Sequence, residues 1–296
     1  MKKLVLIIVS MRPKQWIKNL LVLAGVVFAR KFTAFPMIMR SLIGFALFCM
    51  MSGAVYILND IFDRREDKEH PSKKHRPIPS GKLGVSAAAL SASATILISL
   101  TAAYFMGLEF FLFAVFFLVV NLLYSLLLRK MVILDIMGIS FSFLARAGAG
   151  VAILHPVAPD IEFSPWLWIC TLFLSLFLAI CKRRSEYFVL ENAGLHRKAL
   201  RQYSGHLLDQ LVGLTATATL ISYSIYTVWP RTVQEYGTMN LVFTIPFVVF
   251  GLMRYLYLVY NRMKGGDPSA VLLTEKQIMV DVFLWITVTL IIINSA

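Results

Sequence analysis

Three aspartates with regular spacing stand at the end of a long apolar run. Asp60, Asp63 and Asp67 lie at i, i+3 and i+7, and Asn59 comes directly before them. If the helix of the apolar run 38–58 continues through these residues, the three carboxylates project from one face within two turns. Carboxylates at this density repel one another unless cations lie between them, and Mg2+ prefers such hard oxygen ligands. We therefore predict Mg2+ ligands at Asn59, Asp60, Asp63 and Asp67, with Asp60 and Asp63 as catalytic residues.

The segment that follows the aspartates is basic. Lys74 and Arg76 lie in it, and Pro77, Pro79 and Gly81 keep it from being helical throughout. Carboxylates that hold a metal, followed by cations that bind phosphate, describe a diphosphate site in which Lys74 and Arg76 bind substrate. The simpler alternative is a solvated loop beside the membrane whose charges only set the topology.

The aspartates and the basic segment together resemble a known family signature. The pattern N-D-x-x-D-x-x-x-D followed by R-P-x-x-x-G is the first signature of the UbiA superfamily of intramembrane prenyltransferases. The resemblance implies an all-α, UbiA-like membrane helix bundle with a cavity open to the cytoplasmic face, and an Mg2+-dependent transferase. The matching residues are Asn59, Asp60, Asp63, Asp67, Arg76, Pro77 and Gly81.

The composition excludes a soluble domain. Of the 296 residues, 58% are hydrophobic and 15% are charged, which is typical of a polytopic membrane protein with roughly nine spans of about 20 residues. The net charge of +13 is spread over the loops between apolar runs, so it indicates membrane orientation and anionic lipid or substrate rather than nucleic acid. Cys49, Cys170 and Cys181 lack the spacing of a metal site.

The apolar runs predict a single integral-membrane domain over residues 1–296. Nine spans place the two termini on opposite sides, and Lys and Arg concentrate in alternate loops. We therefore predict a multi-pass protein of the cell (inner) membrane with its N-terminus in the cytoplasm and its C-terminus outside. The long charged loops then share the cytoplasmic face, where a composite active site can form. The spans are predicted near residues 17–35, 38–58, 84–106, 109–128, 132–154, 164–181, 208–229, 239–259 and 277–294.

The N-terminal segment carries polar residues at the start of the first predicted span. Trp16 and Lys14 suit an interfacial anchor, with the indole in the headgroup layer and the lysine reaching water. Lys18 and Asn19 lie one turn inside the helix, where a charged residue usually marks a path or a site. The two interpretations are compatible, and Lys14, Lys18 and Asn19 are predicted to bind substrate. The pattern R-P-x-Q-W-x-K-N also resembles the polyprenyl-phosphate phosphoribosyltransferase branch of the superfamily.

Polar residues also lie in and between the fourth and fifth predicted spans. Asn121 and Tyr124 share a helix face, and they either line a substrate path or bond to neighbouring helices. Arg146 lies in the middle of the fifth span, where a cation is costly unless it meets an acid or a bound anion. We predict that Tyr124, Lys130 and Arg146 bind substrate, although the sequence does not identify the partner of Arg146.

A second charged segment, K-R-x-x-E, follows the sixth predicted span. Its candidate substrate-binding residues are Lys182, Arg183, Glu186 and Tyr187. In aromatic prenyltransferases of the superfamily this place carries a second aspartate-rich motif, so the exchange of acids for bases implies less metal capacity and more anion capacity. The segment resembles the decaprenyl-phosphate phosphoribosyltransferases of arabinan precursor synthesis, as does the G-G-D-P at 265–268. A solvated charged helix face is the alternative.

These resemblances imply a pentosyltransferase, which is a kind of glycosyltransferase. It would move a 5-phosphoribosyl group from phosphoribosyl pyrophosphate to a polyprenyl phosphate, with release of diphosphate, in cell-envelope polysaccharide synthesis. The cations at 182 and 183 suit a 5-phosphate, which a prenyl diphosphate lacks. Two alternatives stay open: prenyl transfer from a prenyl diphosphate to an aromatic or lipid acceptor, and a transporter whose path follows Arg146. No Gly-rich nucleotide motif, H-E-x-x-H or nucleophile elbow occurs, so hydride, protease and hydrolase chemistries are unsupported.

Overall fold

Helices form the regular secondary structure of the chain in a computed structural model, which describes residues 2–29, 34–69, 73–161, 163–189 and 198–295. The predicted all-α class is confirmed, since no strand occurs in these ranges. The chain divides into two compact units, and each is described by itself. The first comprises Met1–Leu126 and Ser142–Phe163, and the second comprises Leu127–Phe141 and Ser164–Ala296. The prediction of one functional domain stays a prediction.

The helices of the described ranges follow one another with short connections. The α-helices are α1 (Lys2–Ser10), α2 (Ala24–Phe28), α3 (Phe35–Phe62), α4 (Arg64–Glu69), α5 (Val85–Met106), α6 (Leu108–Leu126), α7 (Leu134–Ala152), α8 (Pro165–Val189), α9 (Gly205–Val228), α10 (Pro230–Tyr236), α11 (Ile245–Asn261), α12 (Pro268–Thr274) and α13 (Lys276–Ser295). The 3-10 helices are Pro13–Leu23, Lys73–His75, Leu128–Lys130, Lys198–Gln202 and Asn240–Thr244.

The first unit is organised around α3, which packs against α5, α6 and the 3-10 helix Pro13–Leu23. Buried aromatic rings fill its core, with Phe48 centred 5.8 Å from Phe110 and 5.2 Å from Phe117. Small residues bring α2 close to α7, because a Cβ added to Gly25 would lie 2.0 Å from the carbonyl oxygen of Gly150. Such glycines let membrane helices approach closely and increase their packing contacts.

The second unit packs α8 against α9, and α11 against α13. The G-G-D-P segment at 265–268 is seated on α8, because a Cβ added to Gly265 would lie 3.0 Å from the carbonyl oxygen of Cys181. Asp267 then caps α12 by accepting hydrogen bonds from the backbone N–H groups of Ser269 at 3.1 Å and Ala270 at 3.3 Å. The segment is therefore a tight turn that connects α11 to α12.

Eight helices in the described ranges are long and apolar enough to cross a membrane. They correspond to the second to ninth predicted spans. The first predicted span, 17–35, is instead an 11-residue 3-10 helix followed by the five residues of α2, and residues 30–33 lie outside the described part of the chain. A 3-10 helix rises about 2.0 Å per residue and an α-helix about 1.5 Å, so these pieces cover about 30 Å, the thickness of the hydrocarbon core. The count of nine spans stays a prediction.

Candidate active site

The predicted metal-binding aspartates lie where α3 ends and α4 begins. The helical course continues across Asp63, since its backbone N–H donates to the carbonyl of Asn59 at 2.9 Å and the N–H of Asp67 donates to the carbonyl of Asp63 at 2.8 Å. Asp60 and Asp67 are buried, with 1% and 3% of their surface exposed. Two carboxylates therefore lie on the inner side of this junction, where their charges need compensation.

Arginine side chains compensate these charges in the structure. The Nη1 atom of Arg76 lies 3.1 Å from Asp60 Oδ1 and 2.8 Å from Asp67 Oδ2. Arg12 also donates to Asp60 and stacks on a nearby aromatic ring, Tyr56, with its guanidinium carbon 4.9 Å from the ring centroid. Arg12 is not among the predicted site residues, because 48 residues separate it from Asp60 in the sequence. Arg76, by contrast, lies beside the aspartates as the signature predicts.

The chemistry of these carboxylate oxygens suits a divalent cation. The same Arg76 nitrogen contacts both Asp60 and Asp67, so one oxygen of each carboxylate faces a common cationic group, and such oxygens are the hard ligands that Mg2+ prefers. In the described residues, no group of three or more His, Cys, Asp or Glu side chains is close enough to hold a metal ion. Asp60 and Asp67 supply two oxygens of the kind that Mg2+ prefers, and their role as metal ligands stays a prediction. The inclusion of Asn59 and Asp63 stays a prediction.

The predicted site residues of the N-terminal segment differ in how deeply they are buried. Lys14 is exposed, Lys18 is half-buried and Asn19 is fully buried on the 3-10 helix Pro13–Leu23. The Oδ1 atom of Asn19 accepts a hydrogen bond from Ser52 Oγ at 3.1 Å, and its Nδ2 lies 3.4 Å from the sulfur of Cys49. Asn19 therefore connects the N-terminal segment to the middle of α3.

Arg146 has polar and aromatic partners. Its Nε donates to Asn19 Oδ1 at 2.7 Å, and its Nη1 donates to Ser142 Oγ at 2.7 Å. Its guanidinium carbon lies 4.6 Å from the ring centroid of Phe117 and 5.3 Å from that of Phe143. No carboxylate among the described residues forms an ion pair with it, so amide, hydroxyl and π electrons compensate the charge. These contacts supply the partners of Arg146 that the sequence does not identify; substrate binding by Arg146 stays a prediction.

A hydrogen-bonded chain extends from Arg146 to the signature motif within the first unit. Ser142 Oγ accepts from Asn121 Nδ2 at 2.9 Å, and Ser125, one turn further along α6, donates to the side-chain oxygen of Asn59. The Oγ of Ser125 also lies 2.7 Å from the carbonyl oxygen of Asn121. The alternative raised for the polar face of α6, bonding to neighbouring helices, is therefore observed at Asn121. Tyr124 on the same helix is half-buried.

In the second unit, Arg183 is fully buried and forms ion pairs. Its Nε lies 2.5 Å from Asp135 Oδ2 and its Nη1 lies 2.8 Å from Glu186 Oε2. The hydroxyl of Tyr203 donates to the other oxygen of Asp135 at 2.8 Å. Because Arg183 is fully buried, these partners compensate its charge within the unit, and its contact with substrate stays a prediction. Glu186 is thus one of the two carboxylates that pair with Arg183, and its contact with substrate stays a prediction.

The other predicted residues of this unit are more accessible. Lys182 and Tyr187 are half-buried on α8, and Lys130 is exposed on the turn before α7. Lys74, in the first unit, is also exposed. Arg184, beside the predicted residues, is bound by Asp209 at 2.6 Å and lies 3.6 Å from the ring centroid of Tyr260. Lys182 is therefore the most exposed of the three successive α8 cations.

Comparisons with known proteins agree with the fold and the signature. A decaprenyl-phosphate phosphoribosyltransferase of Corynebacterium glutamicum is 32% identical over 286 residues, covering 94% of this chain and 83% of the relative. One of Mycolicibacterium smegmatis is 30% identical over 296 residues, covering 95% and 90%. The solved structure of a UbiA homolog from Archaeoglobus fulgidus bound to GPP and Mg2+ superposes with a TM-score of 0.72 at 17% identity, covering 98% of this chain and 99% of that one. The profile of the UbiA prenyltransferase family matches residues 19–286, and the chain therefore belongs to this family.

Proposed function

We propose that this chain transfers a 5-phosphoribosyl group from phosphoribosyl pyrophosphate to a polyprenyl phosphate on the cytoplasmic side of the membrane. The observation that carries the proposal is the name shared by the two curated relatives, which match nearly the whole chain with 30–32% identity. The solved UbiA homologue is 17% identical, so its likeness supports the fold and leaves the donor open. Membership of a transferase family argues against the transport alternative.

The carboxylates of the first unit suit the diphosphate end of the donor. Asp60 and Asp67 would hold Mg2+, with Asp63 as a predicted further ligand. When bound there, Mg2+ offsets the negative charge of the departing diphosphate. Arg12 and Arg76 already lie beside the aspartates, and we assign them to phosphate oxygens, which guanidinium groups bind through charge-assisted hydrogen bonds.

The reaction exchanges one bond at C1 of the ribose for another. The C1–O bond to the diphosphate breaks and its electron pair leaves with the diphosphate, while an anionic oxygen of the lipid phosphate forms the new bond to C1. The attacking phosphate is already ionised, so no strong base is required. Cations held beside the leaving group stabilise the charge that develops on it, and such electrostatic stabilisation is usually the largest contribution to catalysis.

Lys182 is the proposed ligand of the donor's 5-phosphate. It is half-buried on α8, and the ion pairs of the neighbouring Arg183 with Asp135 and Glu186 fix the helix at this point. A lysine in such a setting supplies a point charge to a phosphate. Because a prenyl diphosphate has no 5-phosphate, this contact would distinguish the two donor classes.

A transfer assay with ribose-labelled donor tests the proposal. Purified protein in lipid, supplied with Mg2+, phosphoribosyl pyrophosphate and a polyprenyl phosphate, should move the label into the lipid extract. A donor labelled in its β-phosphate should leave its label in the aqueous phase, because diphosphate is released. Protein that ignores phosphoribosyl pyrophosphate but consumes geranyl or farnesyl diphosphate with an aromatic acceptor would establish the prenyltransferase alternative instead.

A single substitution tests the donor contact. We expect Lys182→Ala to raise the KM for phosphoribosyl pyrophosphate about ten- to a hundredfold, since a hydrogen bond to a charged group contributes about 1.5–3 kcal/mol. It should also reduce the preference for this donor over an analogue without the 5-phosphate. Lys276→Ala, which removes an exposed lysine at the start of α13, is the matched control. A KM equal in both variants would remove Lys182 from the site.

A further inference from the structure

The connection between α6 and α7 contains a strained turn. Ile133 has a φ of +67°, and the N–H of Leu134 donates to the carbonyl of Val132 at 2.8 Å. A hydrogen bond from residue i+2 to residue i around a central residue with positive φ defines a γ-turn of the rare, strained kind. For a β-branched residue a positive φ is a genuine outlier. Ile133 is 43% exposed, so its burial does not account for the conformation.

Buried side chains of the same unit hold this turn in place. The N–H of Ile133 donates to the hydroxyl of Tyr203 at 2.8 Å, and that hydroxyl donates to Asp135 Oδ1 at 2.8 Å. Asp135 in turn pairs with Arg183, and the residues Tyr203, Asp135 and Arg183 are 4%, 0% and 0% exposed. Burial raises the pKa of Tyr203 above its ordinary value, so the phenol keeps its proton at neutral pH and donates to the carboxylate throughout.

The turn follows directly after two cations. The 3-10 helix Leu128–Lys130 carries Arg129 and the exposed Lys130, and it lies against the 3-10 helix Lys198–Gln202 that precedes Tyr203. Strained backbone persists only where its surroundings over-determine it, and it concentrates at functional sites. A relaxed turn at Ile133 would redirect the backbone that presents the two cations.

We infer that Tyr203 is a positioning residue, which holds the turn at Ile133 so that Arg129 and Lys130 meet a phosphate of the substrate. The inference rests on the proposed function, because that function supplies the phosphorylated donor and acceptor. It goes beyond the proposed function by assigning a role to Tyr203, Asp135 and the backbone of Ile133, none of which needs to touch substrate. The phosphate bound at this place belongs to either the donor or the lipid acceptor.

A set of three variants and one control tests the inference. Tyr203→Phe removes the hydroxyl and leaves the ring, so the KM of the phosphate-bearing substrate should rise about tenfold, equivalent to about 1.4 kcal/mol, with a smaller change in kcat. Gly adopts a positive φ without strain, so a turn with Gly at position 133 should not need the hydroxyl of Tyr203. The double variant Tyr203→Phe with Ile133→Gly should therefore have a KM within about threefold of that of Ile133→Gly alone. Tyr255→Phe is the control, because the hydroxyl of this buried tyrosine has no hydrogen-bond partner among the residues that the structure describes.

Hydrogen exchange provides a readout that does not depend on turnover. Tyr203→Phe should speed amide exchange in the peptide 128–134, since the N–H of Ile133 loses its acceptor, whereas Tyr255→Phe should leave this peptide unchanged. KM is measured for the donor and for the acceptor in turn, and the substrate whose KM rises is the one whose phosphate lies at this place. The donor in these assays is whichever diphosphate the wild type consumes. A wild type that uses only a prenyl diphosphate therefore refutes the proposed function without preventing this test. Faster exchange with an unchanged KM, or a double variant as impaired as Tyr203→Phe, would overturn the inference.

Discussion

At the scale of single residues, the paired carboxylates should determine turnover. Asp60→Asn removes a charge that a divalent cation and a leaving diphosphate both need, so we expect kcat to fall at least about a hundredfold, because such stabilisation is worth several kcal/mol. Asp67→Asn should behave in the same way, since Asp67 is 3% exposed and shares the Arg76 nitrogen with Asp60.

The comparison variant for these aspartates is Glu66→Gln. Glu66 lies beside Asp67 on α4 but is exposed, so its loss should change turnover little. The measurement is the initial rate as a function of Mg2+ concentration, with the amount of membrane-inserted protein determined in parallel. Normal turnover of Asp60→Asn at ordinary Mg2+ would remove the metal site from the proposal.

Arg146 offers a second prediction at this scale. Because its guanidinium bonds Asn19 and Ser142 inside the first unit, Arg146→Met should lower the free energy of unfolding by about 1–3 kcal/mol as buried polar groups lose partners. Arg146→Lys should lower the free energy of unfolding less than Arg146→Met does, but it should not match the wild type, since an ammonium lacks the planar array of donors of a guanidinium. Arg262→Met, at an exposed arginine, is the control. Unchanged stability together with a raised substrate KM would instead show the predicted contact with substrate.

At the scale of helices, Arg40 joins three elements of the first unit. It lies in α3 and its Nε donates to the carbonyl of Ile153, just beyond α7, at 2.8 Å, while its Nη2 donates to the carbonyl of Met106, the last residue of α5. Carbonyls at helix C-termini have no partner within the helix, and a cation there also interacts favourably with the helix dipole.

Substitution of Arg40 should therefore loosen the packing of α3, α5 and α7. We expect Arg40→Leu to lower the free energy of unfolding by about 1–3 kcal/mol, and Arg40→Lys to cost less because one ammonium can still reach a carbonyl. Met39→Leu, at the exposed neighbouring position, keeps the apolar surface and serves as the control. The unfolding midpoint in denaturant, measured in one lipid mixture, distinguishes these variants. Equal midpoints for Arg40→Leu and Met39→Leu would contradict the capping role.

The sequence predicts long helices better than it predicts the contacts between them. Eight of the predicted spans match long helices because lipid requires about 20 apolar residues per crossing, and this requirement is visible in any single stretch of the chain. The pairing of Arg12 with Asp60 joins residues 48 positions apart, and that of Arg183 with Asp135 joins residues 48 positions apart as well. The N–H of Ile133 likewise donates to the hydroxyl of Tyr203, a residue 70 positions away, and no local sequence signal marks the positive φ of Ile133.

At the scale of the whole molecule, the path of the N-terminal segment bears on how the chain crosses the membrane. The first unit contributes one relevant observation. Arg12 pairs with Asp60 at the C-terminal end of α3, and Asn19 contacts Ser52 and Cys49 further toward its middle. The segment from Arg12 onward therefore runs alongside α3 in the opposite direction, which favours a crossing by this segment and supports the predicted count of nine spans.

Cysteine labelling of intact and opened cells tests both the orientation and the count. The background is a variant in which the half-buried Cys170 is replaced by Ala, and the introduced cysteines lie at the exposed positions 159 and 82. We expect Pro159→Cys to react with an impermeant reagent from outside. We expect Lys82→Cys to react only after the membrane is opened. Lys3→Cys should behave like Lys82→Cys if the N-terminal segment crosses. Labelling of Lys3→Cys from outside would reduce the number of membrane spans to eight. Labelling of Lys82→Cys from outside would place the aspartates on the outer side, away from a charged cytoplasmic donor that cannot cross the hydrocarbon core unaided.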